Sequence, residues 1–179
     1  MIEPQGLRAA VVNLGGAVEQ ERIVRFFFDL PLKEAWDLLP ALRDFAPRLA
    51  AWNSSGDGSF VAGGVAWDAT VHGAERFVQA GEYWQALESG RCDLEASPED
   101  ALLPFCLSGF SFSETGAKVP SPRQTHWKGW GDGRMWVPRW VAAQIGDRVR
   151  VVVNERLVAG ASSTDLADRI LEQVHWIQS

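Results

Sequence analysis

Arginine, tryptophan and histidine side chains are the groups in this sequence that could contact a ligand. Arg139 follows Pro138 in an aromatic run, and its planar guanidinium could hold a carboxylate through two hydrogen bonds. The alternative is that Arg139 pairs with an internal acid or with backbone carbonyls. Trp127 and Trp130 lie in a loop, where exposed indole rings could stack on a sugar or another small molecule. Arg139, Trp127 and Trp130 are therefore the candidate ligand contacts.

No set of residues forms a recognisable catalytic centre. His72, His126 and His175 are far apart and have no partners at useful spacing, although His126 could either touch a ligand or be solvated in its loop. The sequence contains no nucleophile elbow, phosphate loop, dinucleotide fingerprint or zinc helix motif. Cys92 and Cys106 have no histidine at metal-ligand spacing and are expected to be free, buried thiols. We therefore assign no catalytic, cofactor-binding or metal-binding residue.

Composition narrows the class of protein further. A chain of 179 residues with 46% hydrophobic residues can build the core of one domain. The net charge of -6 argues against a nucleic-acid partner, which would require a basic patch. We expect no signal peptide, no membrane partner and a cytoplasmic location, because no basic-then-apolar start and no membrane-length apolar run is present. Most of the nine tryptophans have aliphatic neighbours and are expected in the core.

Two aromatic segments are predicted to pair as strands at the centre of a sheet. Phe110 and Phe112 alternate with serines in the first segment, as in a half-buried strand. A loop at 114–123 leads towards the second strand, which begins near Met135 and continues to position 145. The turn at Gly146-Asp147 then predicts an antiparallel hairpin with an alternating strand at 148–157.

The remaining patterns predict an α+β fold, a mostly antiparallel sheet with helices packed on one face. Gly63-Gly64 is expected to interrupt a single long strand, and residues 91–104 are expected to form a polar connection with one helical turn. One helix carries an apolar stripe that includes Phe77 and Trp84. The further strands are predicted at 22–28, 48–52 and 60–71, and the helices at 33–39, 74–87 and 164–177.

Several of these segments, taken in order, also carry a family resemblance. They are Pro47-Arg48-Leu49-Ala50-Ala51-Trp52, Ala62-Gly63-Gly64-Val65-Ala66, Gly73-Ala74-Glu75-Arg76-Phe77, Gly109-Phe110-Ser111-Phe112 and Gly133-Arg134-Met135-Trp136-Val137-Pro138-Arg139-Trp140. This series resembles the N-terminal half of the chorismate-utilising enzymes, and within them the isochorismate synthases of menaquinone or siderophore pathways. The resemblance covers the chain from about Phe26 to its C-terminus.

The resemblance implies that residues 1–179 form a single, non-catalytic N-terminal domain, one half of a two-layer sandwich. In that family the catalytic lysine, the acidic residues and the magnesium-binding glutamates lie downstream of the matched region, so none is carried over to this chain. The implied partner is the C-terminal chorismate-binding domain of the same polypeptide, which is absent here, and magnesium is expected in the parent enzyme. The tryptophan-binding segment of anthranilate synthases has no counterpart here, which favours the isochorismate branch.

Three functions remain open from the sequence. The first is a scaffold domain of an isochorismate synthase that is inactive by itself. The second is a stand-alone module that binds a sugar or another small molecule through Trp127 and Trp130. The third is an interaction domain that forms homo-oligomers through an exposed apolar sheet face.

Overall fold

A computed structural model describes residues 8–11, 21–41, 48–54, 58–111 and 131–178 of the chain. Within these ranges the long α-helices are α1 (Arg76–Ser89) and α2 (Ser163–Gln178), and residues 8–11 and 39–41 are also α-helical. Short 3-10 helices span Ala35–Leu38 and Pro98–Leu102. The strands are β1 (Arg22–Leu30), β2 (Leu49–Ser54), β3 (Gly58–Gly63), β4 (Trp67–Val71), β5 (Arg91–Leu94), β6 (Leu107–Phe110), β7 (Gly133–Val137), β8 (Trp140–Ile145) and β9 (Arg148–Leu157).

These strands form two sheets. The larger sheet has the strand order β2-β3-β8-β9-β1-β5, and the smaller sheet has the order β4-β7-β6. Neighbouring strands are antiparallel throughout, except that β5 runs parallel to β1. The α+β class and the mostly antiparallel sheet expected from the sequence are therefore confirmed.

At two neighbouring points a strand of one sheet runs almost directly into a strand of the other, which corrects two expectations. The single strand expected at 60–71 is β3 in the large sheet and β4 in the small one, and the strand expected at 135–145 divides into β7 and β8. Gly64 lies at the first break with a φ of +69°, which glycine adopts without a steric penalty. Pro138 lies at the second break and cannot donate a ladder hydrogen bond. The Trp136 indole N–H donates to the Gly64 carbonyl oxygen at 2.7 Å and ties the two breaks together.

Each face of the large sheet has its own core. Val24, Phe26 and Phe28 of β1 pack in one cluster with Leu166 and Ile170 of α2. The intervening β1 side chains point to the opposite face, because side chains alternate along a strand. On that second face Phe27 packs with Ala62, Leu103, Val141, Ala143 and Val152. Strand β1 is therefore buried on both faces.

Helix α1 packs against the small sheet, where Ala80 lies in a cluster with Val71 and Met135. Its expected apolar stripe is only partly buried, since Phe77 is 57% exposed and Trp84 is 41% exposed. Tryptophans elsewhere also divide between core and surface. Trp140 is buried at 3% exposure and Trp52 is exposed at 62%.

Local predictions were confirmed more often than connections between distant segments. The hairpin of β8 and β9, the pairing of β6 with β7 and the C-terminal helix are present as expected. Strand β5 corrects the polar connection expected at 91–104, because residues 91–94 pair with β1. The expected helical turn after Ser97 is present as a 3-10 helix. Phe112 and the loop at 114–123 lie outside the described residues.

Candidate functional site

The structure places Arg139 at the second crossing between the sheets, just before β8. Its Nη2 donates to the Val65 carbonyl oxygen at 3.3 Å, and its Nε lies 3.6 Å from Oε1 of Glu155. This is the internal pairing that the sequence left as the alternative to ligand binding. Trp127 and Trp130 lie outside the described residues, so their ligand-binding role stays a prediction.

The two histidines within the described ranges do not join Arg139. His72 is exposed beside α1, where its backbone carbonyl accepts from Nε2 of Gln79 at 3.3 Å. His175 is exposed near the end of α2. His126 lies outside the described residues. The structure therefore does not assemble the sequence-predicted candidates into one site.

A cleft of about 780 Å³ lies over the second face of the large sheet. Phe60, Ala143 and Ile145 line it from β3 and β8. Residues 96–98, 100–101 and 103–105 line it from the connection that follows β5. The exposed indoles of Trp52 and Trp84 also contribute to the lining. We call this space the Arg25 cleft, after the charged residue in its wall.

Arg25 is an unusual residue for such a position. It is 3% exposed, and its guanidinium carbon lies 4.8 Å from the ring centre of Phe27 and 4.9 Å from that of Phe105. Its Nη1 is 3.7 Å from Oδ1 of Asp93, a loose ion pair. Its Nε and Nη2 are buried and have no hydrogen-bond partner in the described part of the chain. Burial lowers the pKa of Arg25, and the Asp93 carboxylate opposes this only in part.

Asp100 is one of three acids that line the cleft, and its carboxylate is already hydrogen-bonded within the fold. Asp100 is 3% exposed, and Arg150 donates to its two carboxylate oxygens at 2.7 and 2.8 Å. The backbone N–H of Ser97 donates to the same carboxylate at 2.6 Å. Burial alone would raise the pKa of Asp100, but the hydrogen bonds from Arg150 and Ser97 lower it below its ordinary value. Asp100 therefore stays ionised and fixes the 3-10 helix to β9.

A second buried carboxyl group, that of Glu155, lies near the end of β9, whereas Arg150, the partner of Asp100, lies near its start. Glu155 is 3% exposed, with Arg139 and Arg169 at 3.6 and 3.7 Å, and it accepts a hydrogen bond from Gln173 at 2.5 Å. Burial raises the pKa of Glu155, and the two arginines counteract that effect in part. These contacts join α2 to the large sheet and to the crossing between β7 and β8. Glu155 therefore acts as a link between elements.

Sequence reasoning missed Arg25, although a signal for it was present. The segment Arg22-Ile23-Val24-Arg25-Phe26-Phe27-Phe28 places one arginine inside a run of apolar residues that must be buried on both faces. A charged residue in such a run has to be paired or functional.

The described residues contain no group of three or more histidine, cysteine or acidic side chains that could hold a metal ion. None of the helices that the structure describes has the length and apolar character required to span a membrane.

The fold and the Arg25 cleft define an α+β protein with a buried cation beside an apolar surface. Residues 9–179 match the family model described as chorismate binding enzyme, and the chain belongs to this family. It is 30% identical over 135 residues to the salicylate biosynthesis isochorismate synthase of Pseudomonas aeruginosa. That match covers 74% of this chain and 24% of the relative, so the chain spans about a quarter of the relative's length.

A solved structure with a similar arrangement is MenF, the menaquinone-specific isochorismate synthase from Escherichia coli. The TM-score is 0.49 with 17% sequence identity, over 99% of this chain and 35% of that chain. The family resemblance drawn from the ordered motifs is thus confirmed by the family match over residues 9–179.

Proposed function

We propose that this chain is the non-catalytic N-terminal scaffold of an isochorismate synthase, an enzyme that converts chorismate to isochorismate. The observation that carries the proposal is the match of the chain to one quarter of the Pseudomonas aeruginosa isochorismate synthase, within the chorismate-binding family. Its partner would be a C-terminal chorismate-binding half of the same polypeptide. The isochorismate would feed a menaquinone, siderophore or salicylate pathway in the cytoplasm.

The charged side chains of the described residues support a scaffold role, because they connect elements of the fold. Nη2 of Arg134, on β7, lies 2.5 Å from Oδ2 of Asp68 on β4, and Nη1 of Arg48 lies 2.9 Å from the same oxygen. These contacts lower the pKa of Asp68, and the hydrogen bond from Arg134 is the main cause. Asp100 with Arg150 fixes the 3-10 helix to the large sheet in the same way. The charged groups thus hold the two sheets and their connections in place.

Magnesium, which the parent enzyme would require, does not fit the acids described here. Magnesium ions in proteins are held by carboxylate oxygens together with water or substrate oxygens. Asp68 and Asp100 each direct their carboxylates at arginines, which compete with a cation for the same oxygens. We therefore place the metal ligands of the parent enzyme in the chorismate-binding half, and we derive no catalytic step from this chain.

Exposed apolar side chains provide the surface on which that half would dock. On α1, Phe77 and Val78 are each 57% exposed, and Trp84 is 41% exposed. On β2, at the edge of the large sheet, Trp52 is 62% exposed and Leu49 is 41% exposed. Neighbouring exposed aromatic residues often mark a protein–protein interface. The occupant we propose is the chorismate-binding half, and a second copy of the chain is the alternative.

The first experiment tests whether the chain is catalytic by itself. Purified chain is incubated with chorismate and magnesium, and isochorismate is measured by chromatography. We expect no conversion above the level without protein. Turnover that scales with the concentration of the chain would overturn the scaffold proposal.

The second experiment tests the docking role. This chain replaces the matching segment of the Pseudomonas aeruginosa enzyme, and the activity of the chimera is compared with that of the same enzyme lacking the segment. We expect the chimera to be active and F77D to reduce its activity at least about tenfold, since an aspartate in a buried interface is strongly unfavourable. V158D is the matched control, because Val158 is also an exposed apolar residue, at 46%, in the turn after β9. Equal losses in both variants would exclude docking on α1.

A further inference from the structure

We propose that the Arg25 cleft binds a small monocarboxylate that carries an apolar ring, with the carboxylate held by the Nε and Nη2 edge of Arg25. The cleft shares Trp52 and Trp84 with the proposed docking surface, but the binding of its ligand can be measured without any turnover of chorismate. It would give the non-catalytic part of the protein a ligand of its own.

The geometry of the guanidinium is the first reason. Nε and Nη2 lie on the same edge of the group, and this edge matches the two oxygens of a carboxylate. In Arg25 both nitrogens lack hydrogen-bond partners among the described residues, while Nη1 on the other side is near Asp93. Buried polar groups in folded proteins are nearly always hydrogen-bonded, so a complete edge left unpaired requires an explanation. A bound carboxylate satisfies both nitrogens at once.

The size and lining of the cleft are the second reason. Its volume of about 780 Å³ falls in the range of roughly 300–1,000 Å³ that is usual for small-molecule sites. Phe60, Leu103 and Ile145 give it an apolar lining, and Trp84 adds an aromatic surface. A ring could lie against these side chains while its carboxylate points towards Arg25. Arg25 is the lining arginine with an unpaired edge among the described residues, and its combination with apolar walls selects a ring-bearing acid over a sugar or a phosphate.

The neighbouring charges are the third reason, and they limit the ligand to one negative charge. Arg91 also lines the cleft, but it is paired with Glu88 at 2.8 Å and with Asp93 at 3.4 Å. Asp100 lines the cleft as well, and its charge is balanced by Arg150. Asp93 at 3.7 Å from Arg25 would repel a dianion. The cleft therefore suits a monoanion.

Access to the edge requires a side-chain movement. Nε and Nη2 are both shielded from solvent, so the carboxylate must displace part of the cleft wall. Phe105 covers the guanidinium and contacts Trp84, with 5.9 Å between the ring centres. Because Trp84 is 41% exposed, it has room to turn and let Phe105 move. Binding should consequently change the fluorescence of Trp84.

Benzoate is the probe for this proposal, and benzamide is its uncharged analogue of similar shape. Both are titrated into the chain while tryptophan fluorescence is recorded, and W84F identifies the indole that responds. We expect saturable binding of benzoate and about ten- to hundredfold weaker binding of benzamide, the range for losing hydrogen bonds to a charged group. R25M should weaken benzoate binding by a similar factor. R156M is the matched control, since Arg156 is half-exposed and pairs with Glu21 outside the cleft.

Three outcomes would overturn the proposal. They are no saturable benzoate binding up to tens of millimolar, equal affinities for benzoate and benzamide, and unchanged benzoate binding in R25M. If R25M does not fold, R25K serves in its place, because lysine keeps the charge and lacks the two-nitrogen edge. Benzoate binding to folded R25K should then be weaker than to the parent chain, and equal affinity would also overturn the proposal. None of these results depends on turnover of chorismate, so they are separable from the scaffold proposal.

Discussion

Replacing Arg25 by methionine should make the protein more stable, although it removes a charged residue from the core. Within the described residues the guanidinium is buried with two N–H-bearing nitrogens unpaired, and each buried donor without a partner costs roughly 1–3 kcal/mol. Methionine has a similar length, fills irregular space in a core and contacts aromatic rings favourably. It would therefore remove this cost and keep the contacts with Phe27 and Phe105.

The interactions that R25M loses are smaller. Because Arg25 is buried, the two cation–π contacts are together worth about 2–4 kcal/mol. Contacts of the methionine sulfur with the same two rings return roughly 1–2 kcal/mol of this loss. The ion pair with Asp93 contributes below about 1 kcal/mol, since that carboxylate is partly exposed. Asp93 also keeps Arg91 as a partner at 3.4 Å, so the substitution leaves it paired. The net expectation is a gain of about 1 kcal/mol, or roughly 2–4 °C in Tm for a chain of this size.

The assay is urea unfolding followed by circular dichroism at pH 7, without any added carboxylate. R156M is again the control, and it should change the free energy of unfolding by less than about 0.5 kcal/mol because Arg156 is on the surface. A loss of more than about 1 kcal/mol in R25M would refute the reasoning. It would mean that Arg25 is fully satisfied in the folded protein, and that the free edge of its guanidinium carries no functional meaning.

Two further predictions concern the buried ion pair and the first crossing between the sheets. D100N should lose about 2–3 kcal/mol at pH 7, because it weakens two charge-assisted hydrogen bonds from Arg150, which keeps Asp29 and the Glu95 carbonyl as partners. D29N should lose less than about 1 kcal/mol, because Asp29 is a half-exposed partner of the same arginine. The pKa of Asp100 is lowered in the fold, so the stability it provides is present above about pH 4 and is lost as the pH falls further. In urea unfolding, the difference in free energy of unfolding between the parent chain and D100N should therefore become smaller below pH 4. A difference that stays constant with pH would contradict the assignment. G64A should lower the free energy of unfolding by about 1–3 kcal/mol more than G73A does. Both glycines have a positive φ, but a Cβ at Gly64 would lie 2.8 Å from Cβ of Arg139, whereas a Cβ at Gly73 would have no heavy atom within 4 Å among the described residues. Equal losses by the same measurement would show that backbone strain alone decides the effect.

Elements with local signals were predictable from the sequence. The β8–β9 hairpin follows from alternating apolar residues around Gly146-Asp147, and Gly146 has the positive φ of +62° that such a turn requires. Helix α2 was placed within about one residue at either end, because its apolar residues recur with helical spacing and Ser162 caps it through a hydrogen bond to the Asp165 N–H at 3.3 Å.

Features that depend on distant contacts were not predictable. A run such as 135–145 keeps its strand character through Pro138, and nothing within the run reveals that its two halves belong to different sheets. Strand β5 has only four residues, of which two are charged, and it is held by the parallel pairing with β1. The cleft has the same origin, because Arg25 and Phe105 are 80 positions apart in the sequence and meet only in the folded chain.

The paired crossings at Gly64 and Pro138 affect how the two sheets unfold. Strand β3 of the large sheet runs on into β4 of the small one, and β7 of the small sheet runs on into β8 of the large one. The Trp136–Gly64 hydrogen bond joins these two crossings. Unfolding of one sheet should therefore disrupt the strand pairing of the other. We expect the amide protons of both sheets to exchange with solvent in a single cooperative opening.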